Sequence, residues 1–229
     1  MYCELYKVKD QIKCVMKGGC KIQKCNEFCV KCYSFYYFVN RSEVPLKYIR
    51  TPIQINKDDI DYPSYERMLR IGEEIDLFVN EGNNLLIKGS RAGSGKTFWA
   101  LKLMQQYFNK VSDHGFKENV GVFVSEAQIM DIIEKNRFSK DDDILSRFYD
   151  CNLLVLDDIG IFNKTDYQML QIYRLIDYRV VHEKTTIYTC NLVTVDEYLQ
   201  ALGERLYSRI VDTSTVIELK GESRRVVKW

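Results

Sequence analysis

The run Leu85-Leu86-Ile87-Lys88-Gly89-Ser90-Arg91-Ala92-Gly93-Ser94-Gly95-Lys96-Thr97 constrains this chain more than any other stretch. Three apolar residues enter a glycine-bearing loop that ends in Gly-Lys-Thr, and an amphipathic run follows from Phe98 to Phe108. That order reads as strand, phosphate loop and helix. Glycines let backbone N–H groups converge on phosphate oxygens without a Cβ in the way, and the positive end of the new helix points at the anion. The expected phosphate cradle is Gly89, Ser90, Arg91, Ala92, Gly93, Ser94, Gly95, Lys96 and Thr97. Within it, Lys96 is expected to reach the β- and γ-phosphates of a nucleotide and the Thr97 hydroxyl to ligate Mg²⁺. The usual spacing asks for glycine at position 90, where this chain has Ser90, with Gly89 one residue early. The rival reading is a glycine-rich turn that binds nothing. The strand before it and the helix after it disfavour that.

The second strong signal is Asn152-Leu153-Leu154-Val155-Leu156-Asp157-Asp158-Ile159-Gly160. A buried parallel strand ends in two acids at the edge where open α/β sheets bind ligands. Asp157 is expected to hold Mg²⁺, and Asp158 to orient and polarise an attacking water. Paired acids after a strand can also serve only as turn caps. The phosphate loop upstream favours the catalytic reading.

Between and after these two signals the chain alternates strands and helices, which predicts an α/β fold. A helix opens at Pro63, with Tyr65, Met68, Leu69, Ile75 and Phe78 at helical spacing. Val120–Val124 reads as a strand, and Ser125-Glu126-Ala127-Gln128 as the capping box of the next helix. A short charged helix is expected from Phe138 to Tyr149, and a longer one from Thr165 to about His182. Thr185–Asn191 is a further strand whose last residue, Asn191, is placed to sense the γ-phosphate. A helix begins at Thr194, and Arg205 and Arg209, four apart, are expected on one helix face. Val216–Leu219 is the last expected strand.

Charge and cysteine divide the chain. The first 50 residues carry ten lysines and arginines against four acids, and the remaining 179 carry 23 against 28. A basic head on a mildly acidic body suggests an anionic or acidic partner for the head. Six of the eight cysteines lie within the first 32 residues. Such clustering argues for a metal, and the C-x-x-C pair Cys29/Cys32 has the spacing for one tetrahedral Zn²⁺. The preferred ligand set is Cys20, Cys25, Cys29 and Cys32, with Cys14 as the substitute for one of them. Free thiols on an arm are the alternative. The expected organisation is a cysteine-rich zinc-binding head at 1–45 and a nucleotide-binding body at 46–229. The aromatic run Tyr33–Phe38 is read as a helix or strand capping the head, and Arg41–Asp61 as a linker. No apolar run reaches membrane-spanning length and no signal core opens the chain, so the expected setting is cytoplasmic.

The order of phosphate-loop strand, intervening strand, Asp-Asp strand, Thr-Asn strand and arginine helix resembles the AAA+ ATPases. Within them it resembles the bacterial and phage helicase loaders of the DnaC/DnaI type and the transposition helper IstB. The matching residues are Gly93–Thr97, Leu153–Gly160, Thr189-Cys190-Asn191 and Gly203–Ile210. The resemblance implies an AAA+-type P-loop fold with a parallel sheet flanked by helices and without a C-terminal lid, here preceded by the zinc module. It implies ATP as the nucleotide, Asp157 as the metal-site acid, Asn191 as a sensor and Arg209 as an arginine finger acting on a neighbour's ATP in a self-assembled array. Asp158 stands where most AAA+ proteins carry glutamate, which implies slow hydrolysis stimulated by DNA or a partner. The zinc head is similar to that of DnaI-type loaders, which contacts the hexameric helicase. The expectation is therefore an ATP-dependent loader of a replicative helicase onto single-stranded DNA. The alternatives are an IstB-type transposition helper, an adaptor with little hydrolysis and, more remotely, a small-molecule kinase.

Overall fold

Alternation along the strands sends neighbouring side chains to opposite faces, and both faces are apolar. In the computed structural model, which describes residues 30–51, 53–114, 118–137 and 143–224, five such strands form one sheet. They are β1 (Asn84–Lys88), β2 (Gly121–Ser125), β3 (Leu153–Ile159), β4 (Thr185–Cys190) and β5 (Ser214–Glu218). Their spatial order is β2-β3-β4-β1-β5, and every pairing is parallel. β1 therefore lies inside the sheet, between β4 and β5.

One face of the sheet carries Leu85, Ile87, Leu153, Val155 and Ile187. Against it pack α1 (Val30–Arg41), α2 (Leu46–Arg50), α3 (Tyr62–Glu73), α4 (Ile75–Asn80) and α5 (Lys96–Val111). α5 is central to this layer, with Trp99, Leu103, Met104 and Phe108 all buried. The other face carries Leu86, Leu154, Leu156 and Tyr188. It is covered by α6 (Glu126–Asn136), α7 (Asp143–Asp150), α8 (Asp166–Val181) and α9 (Val195–Tyr207). Each large apolar side chain fully removed from water contributes about 1.5–3 kcal/mol, so a sheet buried on both faces anchors everything attached to its edge.

Three helices start as the sequence dictates. Ser125, Thr165 and Thr194 each accept the N–H three residues on, and Gln128, Gln168 and Glu197 reach back to complete the capping box. Three expectations need correction. The single helix from Pro63 to Phe78 is two, because Glu74 (φ −115°, ψ 26°) interrupts it between α3 and α4. The last strand lies earlier, at Ser214–Glu218, in register with β1. Residues 138–142 of the helix expected from Phe138 lie outside the described residues, and its described part is Asp143–Asp150. Arg205 and Arg209 do not lie in one regular α-helix. Gly203 (φ 72°, ψ 164°) breaks α9, and Ser208–Asp212 forms a π-helical turn that shifts the phase of Arg209.

The aromatic run becomes part of α1. Phe38, Val39 and Val44 belong to the same core as α5, with the Phe38 ring 5.7 Å from that of Phe108. The Ser42 carbonyl accepts the N–H of Phe123 at 2.9 Å and so covers the edge of β2. No described helix is long and apolar enough to cross a membrane.

One buried charge organises the far layer. Arg179 of α8 is fully buried and has no carboxylate partner among the described residues. Its guanidinium donates to the carbonyls of Phe148 (2.8 Å), Cys151 (2.9 Å) and Thr185 (2.5 Å) and to Thr186 Oγ1 (2.9 Å). It thereby ties the end of α7 to the start of β4. Arg179→Met fills similar space but strands these acceptors without water. The expected loss is about 3 kcal/mol or more in urea unfolding, with an unchanged m-value. A loss below about 1 kcal/mol would show that the carbonyls find other partners.

Candidate functional site

The site is built at the carboxyl ends of β1, β3 and β4. The phosphate loop leaves β1 at Lys88, and α5 begins at Lys96 with Gly95 as its N-cap at φ 105°, a conformation that glycine adopts without strain. The early glycine of the motif has another purpose. A Cβ on Gly89 would lie 2.2 Å from the Leu219 carbonyl, because the chain leaving β5 bonds to Lys88 there, Leu219 N–H to Lys88 O at 2.8 Å. Gly89 thus admits the neighbouring backbone, and Ser90 sits exposed where the motif usually has glycine.

Lys96 is buried, and its ammonium donates to the carbonyls of Gly89 and Arg91, both at 2.9 Å, and to Ser94 Oγ at 3.3 Å. The loop's own carbonyls therefore hold the cation at its centre, with Ser94 fully buried beside it.

Asp157 and Asp158 would point to opposite faces of a regular strand. A bulge changes that. Leu156 pairs with Tyr188 and Ile159 with Cys190, so Asp157 and Asp158 together oppose the single residue Thr189. Asp158 takes the left-handed conformation, φ 58°, which aspartate tolerates better than most residues. Thr189, itself buried, joins the two acids. Its hydroxyl donates to Asp157 Oδ1 at 2.6 Å and accepts the Asp158 N–H at 2.9 Å. Burial raises the Asp157 carboxyl above the ordinary aspartate pKa, and the Asp158 charge adds to this. Hydrogen bonds from Thr189 and Thr97 and the Lys96 ammonium pull it back. The Thr97–Asp157 contact sets a hydroxyl beside a buried carboxylate that lacks a full counter-charge. That donor set fits Mg²⁺.

Asp158, Asn191, Lys96 and Thr97 line one cleft of about 640 Å³. Asn191 Oδ1 is buried there without a hydrogen-bond partner among the described residues, an acceptor that a ligand or water would satisfy. Lys47, Tyr48, Gln54 and Arg224 also line the cleft. Arg209 is not among the lining residues. It forms an ion pair with Asp177 of α8 at 2.8 Å.

Two residues at this edge have roles that the sequence reading does not foresee. Thr189 appears there only within a strand and within the Thr189-Cys190-Asn191 match, with no role of its own. Glu126 sits inside a capping-box motif, yet its carboxylate is buried and accepts the N–H groups of Gly160, Ile161 and Phe162 at 3.0–3.2 Å. It also pairs with Lys164 at 2.7 Å, and so pins the loop that follows the two acids. Of the expected zinc ligands, Cys20, Cys25 and Cys29 lie outside the described residues, as does Cys14. Cys32 falls within α1, and its side chain is outside the description. Among the described residues no cluster of three or more His, Cys, Asp or Glu is placed to hold a metal.

The model of one protein family, the IstB-like ATP binding proteins, matches residues 50–228. Among solved structures, the chain is similar to the DnaC helicase loader at 25% identity and a TM-score of 0.59, covering 75% of this chain and 95% of that one. It is similar in fold to DnaI, at 21% identity and a TM-score of 0.54 over 80% of this chain and 94% of that one. AMPPCP-bound DnaA from Aquifex aeolicus shares the fold at 15% identity and a TM-score of 0.57, over 75% of this chain and 50% of that one. No curated protein sequence matches.

Thr189→Val keeps the shape of the side chain and removes both of its hydrogen bonds. The expected outcome is slower nucleotide hydrolysis with nearly unchanged nucleotide affinity, because Lys96 and the phosphate loop are untouched. The cost to stability is about 1–2 kcal/mol. Single-turnover kinetics and equilibrium titration of the same preparation separate the two effects. An equal loss in binding would mean that Thr189 supports the loop rather than the acids.

Proposed function

Because the chain belongs to the family of IstB-like ATP binding proteins, we propose that it is an ATPase that loads a replicative DNA helicase onto single-stranded DNA. The observation that carries the ATPase half is the convergence of Lys96, Thr97, Asp158 and Asn191 on one cleft, with Asp157 hydrogen-bonded behind them. The likeness to the DnaC helicase loader over nearly all of the solved chain supports the loading half.

In this reading Lys96 exchanges its loop carbonyls for the β- and γ-phosphate oxygens of ATP. Thr97 and Asp157 would hold Mg²⁺, which supplies charge neutralisation on the phosphates when bound. Asp158 orients and polarises the attacking water, held in its strained position by the bulge and by Thr189. Asn191 contacts the γ-phosphate or that water through its amide. Arg209 exchanges Asp177 for the ATP of an adjacent subunit, which couples hydrolysis to self-assembly. Residues 1–45 carry a zinc-binding head, its metal held by Cys20, Cys25, Cys29 and Cys32, that docks on the helicase, while the end of this segment (Phe38, Val39 and Val44) packs into the core of the body. A cytoplasmic setting follows from that role.

The family match favours a second reading, an IstB-type transposition helper that uses the same ATPase chemistry on a different DNA transaction. The partner separates the two. The decisive measurement is transfer of a hexameric helicase from the same host to circular single-stranded DNA, alongside ATP turnover with and without that DNA. Full-length protein should load helicase. Lys96→Ala should lose ATP binding, and Arg209→Ala should bind ATP yet hydrolyse it about 10³-fold more slowly. Mixing Arg209→Ala with Asp158→Asn subunits should restore part of the turnover at shared interfaces. Absence of any helicase interaction with the full-length chain rejects the loader reading and favours the transposition one. Absence of ATP turnover under all conditions rejects both.

The head has its own test. Protein purified without chelators should carry about one Zn²⁺ per chain, and removing the metal should leave the ATPase body folded. Elemental analysis that finds no zinc would sink the assignment.

A further inference from the structure

The chain leaving β5 crosses the phosphate loop as a strap. Asp61, buried where α3 begins, holds that crossing. Its carboxylate accepts the main-chain N–H of Lys220 at 2.6 Å and of Gly221 at 2.9 Å. The strap then meets the phosphate loop twice. The Arg224 N–H donates to the Gly93 carbonyl at 2.9 Å, and Glu222 forms an ion pair with Arg91. The Arg224 side chain lines the cleft that holds Lys96, Asp158 and Asn191. Its guanidinium rests on Asp59 at 2.6 Å and Asp61 at 3.6 Å. It also lies 5.1 Å above the ring of Tyr65, which stacks on Trp99 of α5. None of the chemistry assigned above uses this cation.

We propose that Arg224 is a nucleotide-binding residue: its guanidinium, parked on Asp59, transfers to the phosphate chain of the nucleotide that enters the cleft. The inference rests on the reading of the cleft as a nucleotide site. Among the described residues Arg224 is the cation that the strap contributes to the lining, beside the phosphate loop. Its planar fork suits phosphate oxygens as well as it suits a carboxylate. The Arg224 side chain is 39% exposed, so solvent screens the pair with Asp59 and a polyphosphate can compete for it. The Tyr65 ring keeps the guanidinium from swinging into solvent while it changes partners. The main-chain bond to Gly93 links the exchange to the phosphate loop itself.

The test is titration of the full chain with ATP in Mg²⁺ buffer, using two variants that break the same ion pair from opposite sides. Arg224→Gln should weaken ATP binding about tenfold, the loss of a charge-assisted contact. Asp59→Asn should tighten it about two- to fivefold, because the competing carboxylate is gone. If the pair serves only to brace the strap, both variants weaken binding together. That result, or an unchanged affinity in Arg224→Gln, overturns the proposal. Thermal unfolding without nucleotide checks that each variant is folded. Should Arg224→Gln fail that check, Arg224→Lys carries the same test, with an expected loss of about threefold from the missing fork. Failure of the parent chain itself to bind ATP overturns the nucleotide-site reading and this inference with it. Normal parent binding with same-sign variants overturns this inference alone.

Discussion

The pairing of β4 with both β1 and β3 holds the functional edge together. On one side Ile87 pairs with Thr189 and Lys88 with Cys190, so the phosphate loop starts level with the end of β4. On the other side Leu156 pairs with Tyr188, after which the bulge gives β3 one extra residue. Thr189 sits where these two registers meet, and its hydroxyl bridges the two acids of β3. A slip of one residue in either pairing would exchange the side chains of the two buried faces, and the close packing of each face against its own helix layer opposes it. Hydrophobic burial far from the site thus fixes the positions of a few polar atoms to within hydrogen-bond tolerance.

Several charges are buried around this edge, and each is compensated in a different way. Lys96 is surrounded by carbonyls of its own loop. Glu126 spends its carboxylate on three backbone N–H groups and Lys164. Arg179 uses carbonyls and hydroxyls of two neighbouring elements. Glu126 and Arg179 are saturated, and their work is to hold elements together. Asp157 differs, because its raised pKa marks a carboxylate whose surroundings do not fully offset burial. Incomplete compensation at a cleft is where a cation or ligand gains the most by binding.

The strap after β5 adds a second layer of support. Asp61 fixes it to the start of α3, and it reaches the phosphate loop at Gly93 and Arg91. The loop is therefore held from both sides, by α5 behind it and by the strap across it. Tyr65 of α3 and Trp99 of α5 stack, which ties the helix that fixes the strap to the helix behind the loop. A loop braced in this way can keep its N–H groups converged without nucleotide, which lowers the ordering cost of binding.

Local chemistry made much of this legible in the residues alone. The phosphate loop, the two acids at a strand end, the three capping boxes and Asn191 all announce themselves through spacing, because their geometry is set within a few covalent bonds. The extent of the helix after Pro63, the break at Gly203 and the register of β5 were not legible in the same way, since tertiary contacts decide where a marginal helix or strand ends. The use of Gly89 was also hidden. Its neighbour, the Leu219 carbonyl, lies 130 residues away in the chain. The same holds for Thr189 beneath Asp157, for Glu126 beneath Gly160 and for Arg224 on Asp59. Sequence by itself determined which groups could do the chemistry. The parallel sheet, by choosing strand neighbours that no local pattern encodes, decided which of those groups meet.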